Sequence, residues 1–376
     1  MVTNKKKGIA VIYDPHNLYQ FIWYYATYGK EYEWTALCLP NGYKGEYMSR
    51  FCEKSGIFEN IIRDEQVYLN ASIKTKAKEF FKMSFYAITG RQSQYCKKLI
   101  SKYVNIEQYE IGVVLTDVGI VSGAFIGLGQ EMQIVILEDG MGDYAERPKG
   151  YIRKHLFNPF DIQGYLVAKM GYANPAHYYP LKTTKYCEKF CSNPEQMIYR
   201  AYKSIDVLYD FSETDMELFD GIVIKTYPEL SKIDFSKIEV MVFSNRLSDF
   251  GNDVEIYVKK FQEYVNYNYK KILLKRHPRD ETKYEFASNI EVQEIDNSIP
   301  AEVFLHLLKN KEILFMYTSS ILLYIDNKNY DVSYLYFNGL FEKNIEDKTW
   351  LKYITKEEMQ KYLKRFDMNE SRIIEI

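Results

Sequence analysis

Long apolar runs are missing from this sequence. No stretch of about 18 consecutive apolar residues occurs, so no membrane-spanning helix is expected. The basic start, MVTNKKKGIAVIY, carries an apolar run too short for a signal peptide. Cysteine is sparse. Cys38, Cys52, Cys96, Cys187 and Cys191 are odd in number and scattered, as expected for reduced thiols in a cytosolic protein. Cys187 and Cys191 have no second Cys/His pair at zinc spacing, which argues against a zinc site. Charge of one sign is lacking too. A formal net charge of −2 at pH 7 gives no basic field and argues against general nucleic-acid binding. The glycine-rich signatures of kinases, P-loop enzymes and dinucleotide folds are absent. No Asp-x-Asp pair stands at a strand end to hold a metal on a diphosphate. There are no repeats and no low-complexity tract.

What is present is enough for about two domains. The chain has 376 residues, 47% hydrophobic and 27% charged, within the ordinary range for a soluble globular protein. Its 36 tyrosines hint at amphipathic surfaces. Strands and helices alternate in the first half. Apolar runs predict strands at Gly8–Tyr13, Trp34–Leu39, Glu59–Arg63, Ile111–Leu115 and Met132–Leu137. Helical spacing covers Leu18–Tyr28, Tyr47–Lys54, about Ser72–Tyr103 with a break near Gly90, and Val118–Leu128. The glycines of that last stretch are expected to serve close packing. The alternation restarts after about residue 205. Strands are expected at Val207–Phe211, Ile238–Phe243, Ile272–Leu274, Ile290–Ile295, Ile313–Met316 and Val332–Phe337. Helices are expected at Asp253–Tyr267, Ala301–Leu308, from Ile321, and at Trp350–Arg365. This order predicts an α/β class with parallel sheets and right-handed crossovers. It reads as two Rossmann-like α/β domains facing a central cleft, residues 1–190 and 191–376. The last helix is placed back against the first domain.

The chemistry gathers where strands stop. Lys271 to Asp280 reads KILLKRHPRD. Pro278 ends the strand and biases His277 toward extended backbone. His277 then lies at the carboxyl edge of a sheet, the edge where open α/β sheets bind ligands. Lys275, Arg276 and Arg279 beside a titratable imidazole suit an anion, most simply a phosphate. In the first domain Glu138-Asp139-Gly140 follows a strand. Two adjacent carboxylates raise one pKa, which makes a useful general base, and Gly140 permits close approach of a ligand. Thr318, Ser319 and Ser320 precede a helix, and such a terminus suits phosphate. Glu302, in the first turn of a helix, can favour the helix dipole or accept hydrogen bonds from ribose hydroxyls. A phosphate held by His, Lys and hydroxyls without metal fits a monophosphate-activated donor better than a UDP-sugar.

An acidic-acidic-glycine motif, then His-Pro, then a Ser-Ser pair, with Pro300-Ala301-Glu302 between the last two, resembles the bacterial sialyltransferases. The similarity is greatest to glycosyltransferase family 52, the lipooligosaccharide and capsule sialyltransferases, to which the bacterial polysialyltransferases are related. It spans roughly residues 8 to 340. The resemblance implies a GT-B-like fold, a CMP-activated sialic acid donor, inversion at the anomeric carbon, and no metal or other cofactor. It implies Glu138 or Asp139 as the base, with Glu138 favoured and Asp253 as a further candidate. His277 binds the phosphate and helps it leave. Ser319 and Ser320 hold the same phosphate, Pro278 and Thr318 belong to the donor site, Glu302 holds the ribose, and Lys275 lies near the nucleotide. His16, Asn17, Gly140 and Tyr144 are expected on the acceptor side. The implied partners are a nucleotide-sugar donor and a cell-surface glycan, with no nucleic acid. A cytoplasmic enzyme is expected, and peripheral attachment at the inner membrane face and a homodimer are both compatible with the sequence. The alternatives are a transferase for another CMP-activated nonulosonic acid or Kdo, a nucleotide-sugar epimerase or hydrolase of the same layout, and a non-catalytic binding protein.

Overall fold

The computed structural model describes residues 5–39, 45–64, 86, 89, 91–115, 120–138, 184–197, 200, 202–208, 212–245, 254–277, 280–307, 311–316, 331–337, 357 and 373–376. The chain divides into two compact units, Met1–Pro228 and Glu229–Ile376.

The first unit is built on a seven-stranded sheet. Its strands are β1 (Lys6–Ile12), β2 (Tyr32–Cys38), β3 (Phe58–Arg63), β4 (Ile111–Val114), β5 (Gln133–Leu137), β6 (Glu188–Cys191) and β7 (Ser204–Val207). Their order is β3-β2-β1-β4-β5-β6-β7, and every pairing is parallel. The central strands are apolar throughout because both faces are covered. Gly8 sits opposite Trp34 in the β1–β2 register. A Cβ on Gly8 would lie 2.5–2.8 Å from the Trp34 ring, so only glycine lets the indole cross β1. Gly127, after helix Ile120–Ile126, is similarly confined: its Cβ would come within 2.6 Å of the Cys96 sulfur. The packing role expected for these glycines is realised there.

Helix α1 (Pro15–Tyr24) begins on an Asp14 N-cap with Pro at its first turn, and continues as a π-turn over Tyr25–Gly29. A further helix, Glu213–Thr226, packs on it through Phe219, whose ring is 4.1 Å from Trp23 and 5.5 Å from Tyr19. Complete burial of Phe219 contributes about 2–3 kcal/mol. This helix is absent from the sequence expectation although its Ser212–Asp215 capping box was readable.

These elements correct the expected boundary between 190 and 191. Strands β6 and β7 extend the first sheet, and the helix that follows buries its aromatic face on α1, so the first unit runs to Pro228. Strand β6 escaped notice because Lys189 interrupts its apolar run, and β7 ends where the expected strand Val207–Phe211 was to begin.

The second unit repeats the plan with six strands: β8 (Val240–Phe243), β9 (Lys271–Lys275), β10 (Glu291–Ile295), β11 (Glu312–Phe315), β12 (Asp331–Tyr336) and β13 (Ile373–Glu375). The order is β10-β9-β8-β11-β12-β13, again all parallel. Phe243, Phe315 and Tyr334 occupy adjacent register positions and stack, with ring centroids 5.1 and 5.4 Å apart. The C-terminal strand β13 pairs with β12 of this sheet. The helix expected at Trp350–Arg365, whose placement against the first domain was anticipated, and the helix expected from Ile321 lie outside the described residues. Helix Val254–Asn268 falls where its apolar spacing put it.

In both sheets the order reverses direction at its first strand. Between β1 and β4, and between β8 and β11, consecutive crossovers leave to opposite sides. Such reversal points open a crevice at the carboxyl ends of the strands.

Candidate active site

In the first unit the β1–α1 turn lies at the reversal point. Its backbone is tied by side chains. Asn17 N–H donates to the Asp14 carboxylate at 2.8 Å, and the Asn17 side-chain oxygen accepts Tyr13 N–H at 3.1 Å. The Asn17 amide also donates to Leu115 O at the end of β4, 3.3 Å away. Asn17 is buried and staples the two strand ends together. His16 stands beside it, half-buried. Tyr13 and Ser122 share a hydroxyl contact of 2.9 Å, which fixes the neighbouring helix against the same turn.

Glu138 follows β5 directly and is 0% exposed. One carboxylate oxygen accepts both Ser192 N–H at 2.6 Å and Ser192 O–H at 2.7 Å. Ser192 stands at the carboxyl end of β6, the neighbouring strand. A buried carboxylate is costly unless hydrogen-bonded, and these bonds also fix its rotamer. Lys189, fully buried on β6, donates its ammonium to Leu137 O at 2.9 Å, the carbonyl just before Glu138.

In the second unit β9 runs as expected into Arg276 and His277. His277 is exposed, and its backbone is held: its N–H donates to Ser244 Oγ at 3.2 Å, and its carbonyl accepts Asp280 N–H at 2.8 Å. Ser244 follows β8, at the reversal point of this sheet. Lys275 is 3% exposed and donates to Arg276 O at 2.8 Å and Asn297 O at 3.2 Å. Burial pushes its ammonium down to about 8, and Glu302, Asp296 and Glu294 partly offset that shift. Glu302, in the 3-10 turn Ala301–Leu307, is buried as well.

Asp280 is the hub beneath this turn. Its carboxylate accepts Ser244 O–H at 2.6 Å, Tyr284 O–H at 2.8 Å and Thr282 N–H at 3.0 Å. Arg276 extends to Glu294 at 3.2 Å and to the Asp280 carbonyl. Burial first, then the Asp280 charge, pushes the Tyr284 phenol upward, so it stays a proton donor.

The sequence reading put Glu138 and His277 just beyond strands and Glu302 in the first turn of a helix, and the structure has them there, the helix being a 3-10 turn. Lys275, expected in the turn beyond the strand, is instead the buried last residue of β9. The reading missed Ser192, Ser244, Asp280 and Lys189. For Asp280 a signal existed, since Asp two residues before an N–H it accepts is an Asx-turn pattern. A serine after a strand has none. Asp139, Gly140, Tyr144, Asp253, Pro278, Thr318, Ser319 and Ser320 lie outside the described residues. Among the described residues no group of three His, Cys, Asp or Glu could hold a metal ion, and no helix is long and apolar enough to cross a membrane.

Two units, each built on a parallel sheet with helices, give the chain the GT-B type of α/β fold. A family model described as alpha-2,8-polysialyltransferase (POLYST) matches residues 2–331, and the chain belongs to that family. It is a sialyltransferase, and hence a glycosyltransferase with a nucleotide-sugar donor and a glycan acceptor. That sets aside the epimerase, hydrolase and binding-protein alternatives. Among solved structures, an alpha/beta-galactoside alpha-2,3-sialyltransferase from Photobacterium phosphoreum is similar with a TM-score of 0.49 at 13% identity, over 99% of both chains. A UDP-GlcNAc 2-epimerase from Methanocaldococcus jannaschii gives a TM-score of 0.49 at 14% identity, covering 99% of this chain and 88% of that one. Comparison with the curated proteins gives no match.

Proposed function

We propose that the protein transfers sialic acid from CMP-sialic acid to a sialic-acid-terminated glycan, forming an alpha-2,8 linkage with inversion and without a metal. The family supports the linkage and the acceptor class. The acidic pair Glu138–Asp139 supplies the base, Glu138 first. It takes the acceptor hydroxyl proton as that oxygen bonds to the anomeric carbon, and the bond from that carbon to the phosphate oxygen breaks. His277 gives a proton to the departing phosphate. Lys275, too deep for direct contact in this state, contributes positive potential from below the turn. Glu302 serves the ribose. Pro278, Thr318, Ser319 and Ser320 line the phosphate, and His16, Gly140 and Tyr144 serve the acceptor. Asn17 supports that side through its staple to Leu115. The glycan products suit lipooligosaccharide or capsule, made by an enzyme at the inner face of the membrane.

The observation that carries this reading is the exposed His277 imidazole on a backbone fixed at the carboxyl edge of β9, within a sialyltransferase family chain. The test is CMP release from CMP-sialic acid, with a sialylated acceptor, a galactose-terminated acceptor or none, in the presence of EDTA. We expect release stimulated by the sialylated acceptor and reduced about 10²-fold or more in His277→Ala. A preference for the galactoside would overturn the linkage, loss in EDTA the metal independence, and full activity of His277→Ala its assigned role.

A further inference from the structure

We propose that Ser244 and Asp280 are positioning residues for His277, a role that rests on His277 acting at the departing phosphate. Three hydrogen bonds form a closed circuit. His277 N–H donates to Ser244 Oγ at 3.2 Å, Ser244 O–H donates to Asp280 Oδ2 at 2.6 Å, and Asp280 N–H donates back to His277 O at 2.8 Å. Both backbone polar groups of His277 are therefore satisfied by two residues that also bind each other. The circuit is anchored below. Ser244 N–H donates to Lys275 O at 3.0 Å, which locks the serine to β9, and Met316 N–H donates to Phe243 O at 3.0 Å, which locks β8 to β11. Asp280 is buried, and Tyr284 O–H, Thr282 N–H and, 3.9 Å away, the Arg276 guanidinium surround its carboxylate.

The Ser244 hydroxyl is oriented by this shell. Asp280 offers it a charged acceptor, so its proton points there and its lone pair faces His277 N–H. Fixing the backbone on both sides of the His277 Cα limits the arc its imidazole sweeps, while the side chain itself stays exposed to solvent. A displacement of about 1 Å at a reacting group can cost up to about 10²-fold in rate. Ser244 and Asp280 touch no reacting atom in this scheme.

The test is a double-mutant cycle on acceptor-stimulated CMP release, using Ser244→Ala, Ser244→Thr, Asp280→Asn and His277→Ala in the full chain. Ser244→Ala is expected to lower kcat about 10-fold with little change in KM for the donor, and Ser244→Thr to restore most of it. In the His277→Ala background Ser244→Ala should cost nothing more, because there is no imidazole left to aim. Asp280→Asn asks the same question should Ser244→Ala fail to fold. Losses that multiply in the cycle, or wild-type kcat in folded Ser244→Ala, would overturn the proposal. Full activity of His277→Ala alone would instead refute the role of His277, and the positioning role with it.

Discussion

The two units wind the same strand order yet fix their functional groups in opposite ways. In the first, the side chain itself is held: the Glu138 carboxylate is buried and takes two hydrogen bonds from Ser192. In the second, the chain beneath is held: His277 is exposed while its N–H and C=O are bound. Beneath both lies a buried lysine. Lys189 binds the carbonyl before Glu138, and Lys275 the carbonyl before His277. The difference follows from desolvation. A carboxylate withdrawn from water needs its own donors, whereas an imidazole left in water needs only a rigid support. A strand end thus offers two routes to preorganisation.

The sharpest way to break this comparison is at the carboxylate. Glu138→Gln keeps the size and removes the carboxylate proposed as the base. We expect kcat to fall by about 10³-fold, within the usual range for a lost general base, and Asp139→Asn to cost far less. Single-turnover kinetics on both variants would decide. The reverse ranking would make Glu138 a structural acid and move the base to Asp139.

The buried lysine of the second unit carries the next largest effect. Its pKa falls from 10.5 toward about 8 on folding. Between those values the unfolded chain holds a proton that the folded protein has lost, so stability rises with pH across the window. The full gain is present above 10.5 and is lost as pH falls through 8. The difference in unfolding free energy between wild type and Lys275→Met should therefore shift in favour of wild type by about 3 kcal/mol over that window. Urea unfolding of both proteins at either end measures it, and a flat difference would mean that Lys275 titrates as it does in water.

The smallest effect tests how the carboxylate is held. Ser192→Ala deletes the hydroxyl donor and leaves the N–H donor in place. A loss of about 1 kcal/mol in stability is expected, with kcat down by roughly fivefold if orientation of Glu138 limits the reaction. Unchanged kcat alongside the stability loss would confine Ser192 to the fold.

The strand ends that carry the candidate residues were readable because apolar runs end abruptly at charge. Ile134 to Leu137 stops at Glu138, and Ile272 to Leu274 stops at Lys275, Arg276 and His277. Burial on both faces of a parallel sheet demands such runs, and the first polar residues beyond them mark the ligand edge. Asn17 looked like an acceptor contact because it follows a strand, yet it spends its amide on Leu115, 98 residues away. Lys189 hid a strand, since a lysine inside a short segment reads as solvent-facing until a carbonyl is found for it.

The sequence by itself determined the α/β class, most strand positions and the two strand-end motifs, because periodicity and turn chemistry are local properties. Only the tertiary structure decided that the first sheet takes in β6 and β7, and that Ser192 serves Glu138. It alone joined Ser244 and Asp280 into one support for His277. Those facts depend on which strands become neighbours, and a hydrogen bond between residues 36 or 54 positions apart leaves no trace in either one's local sequence.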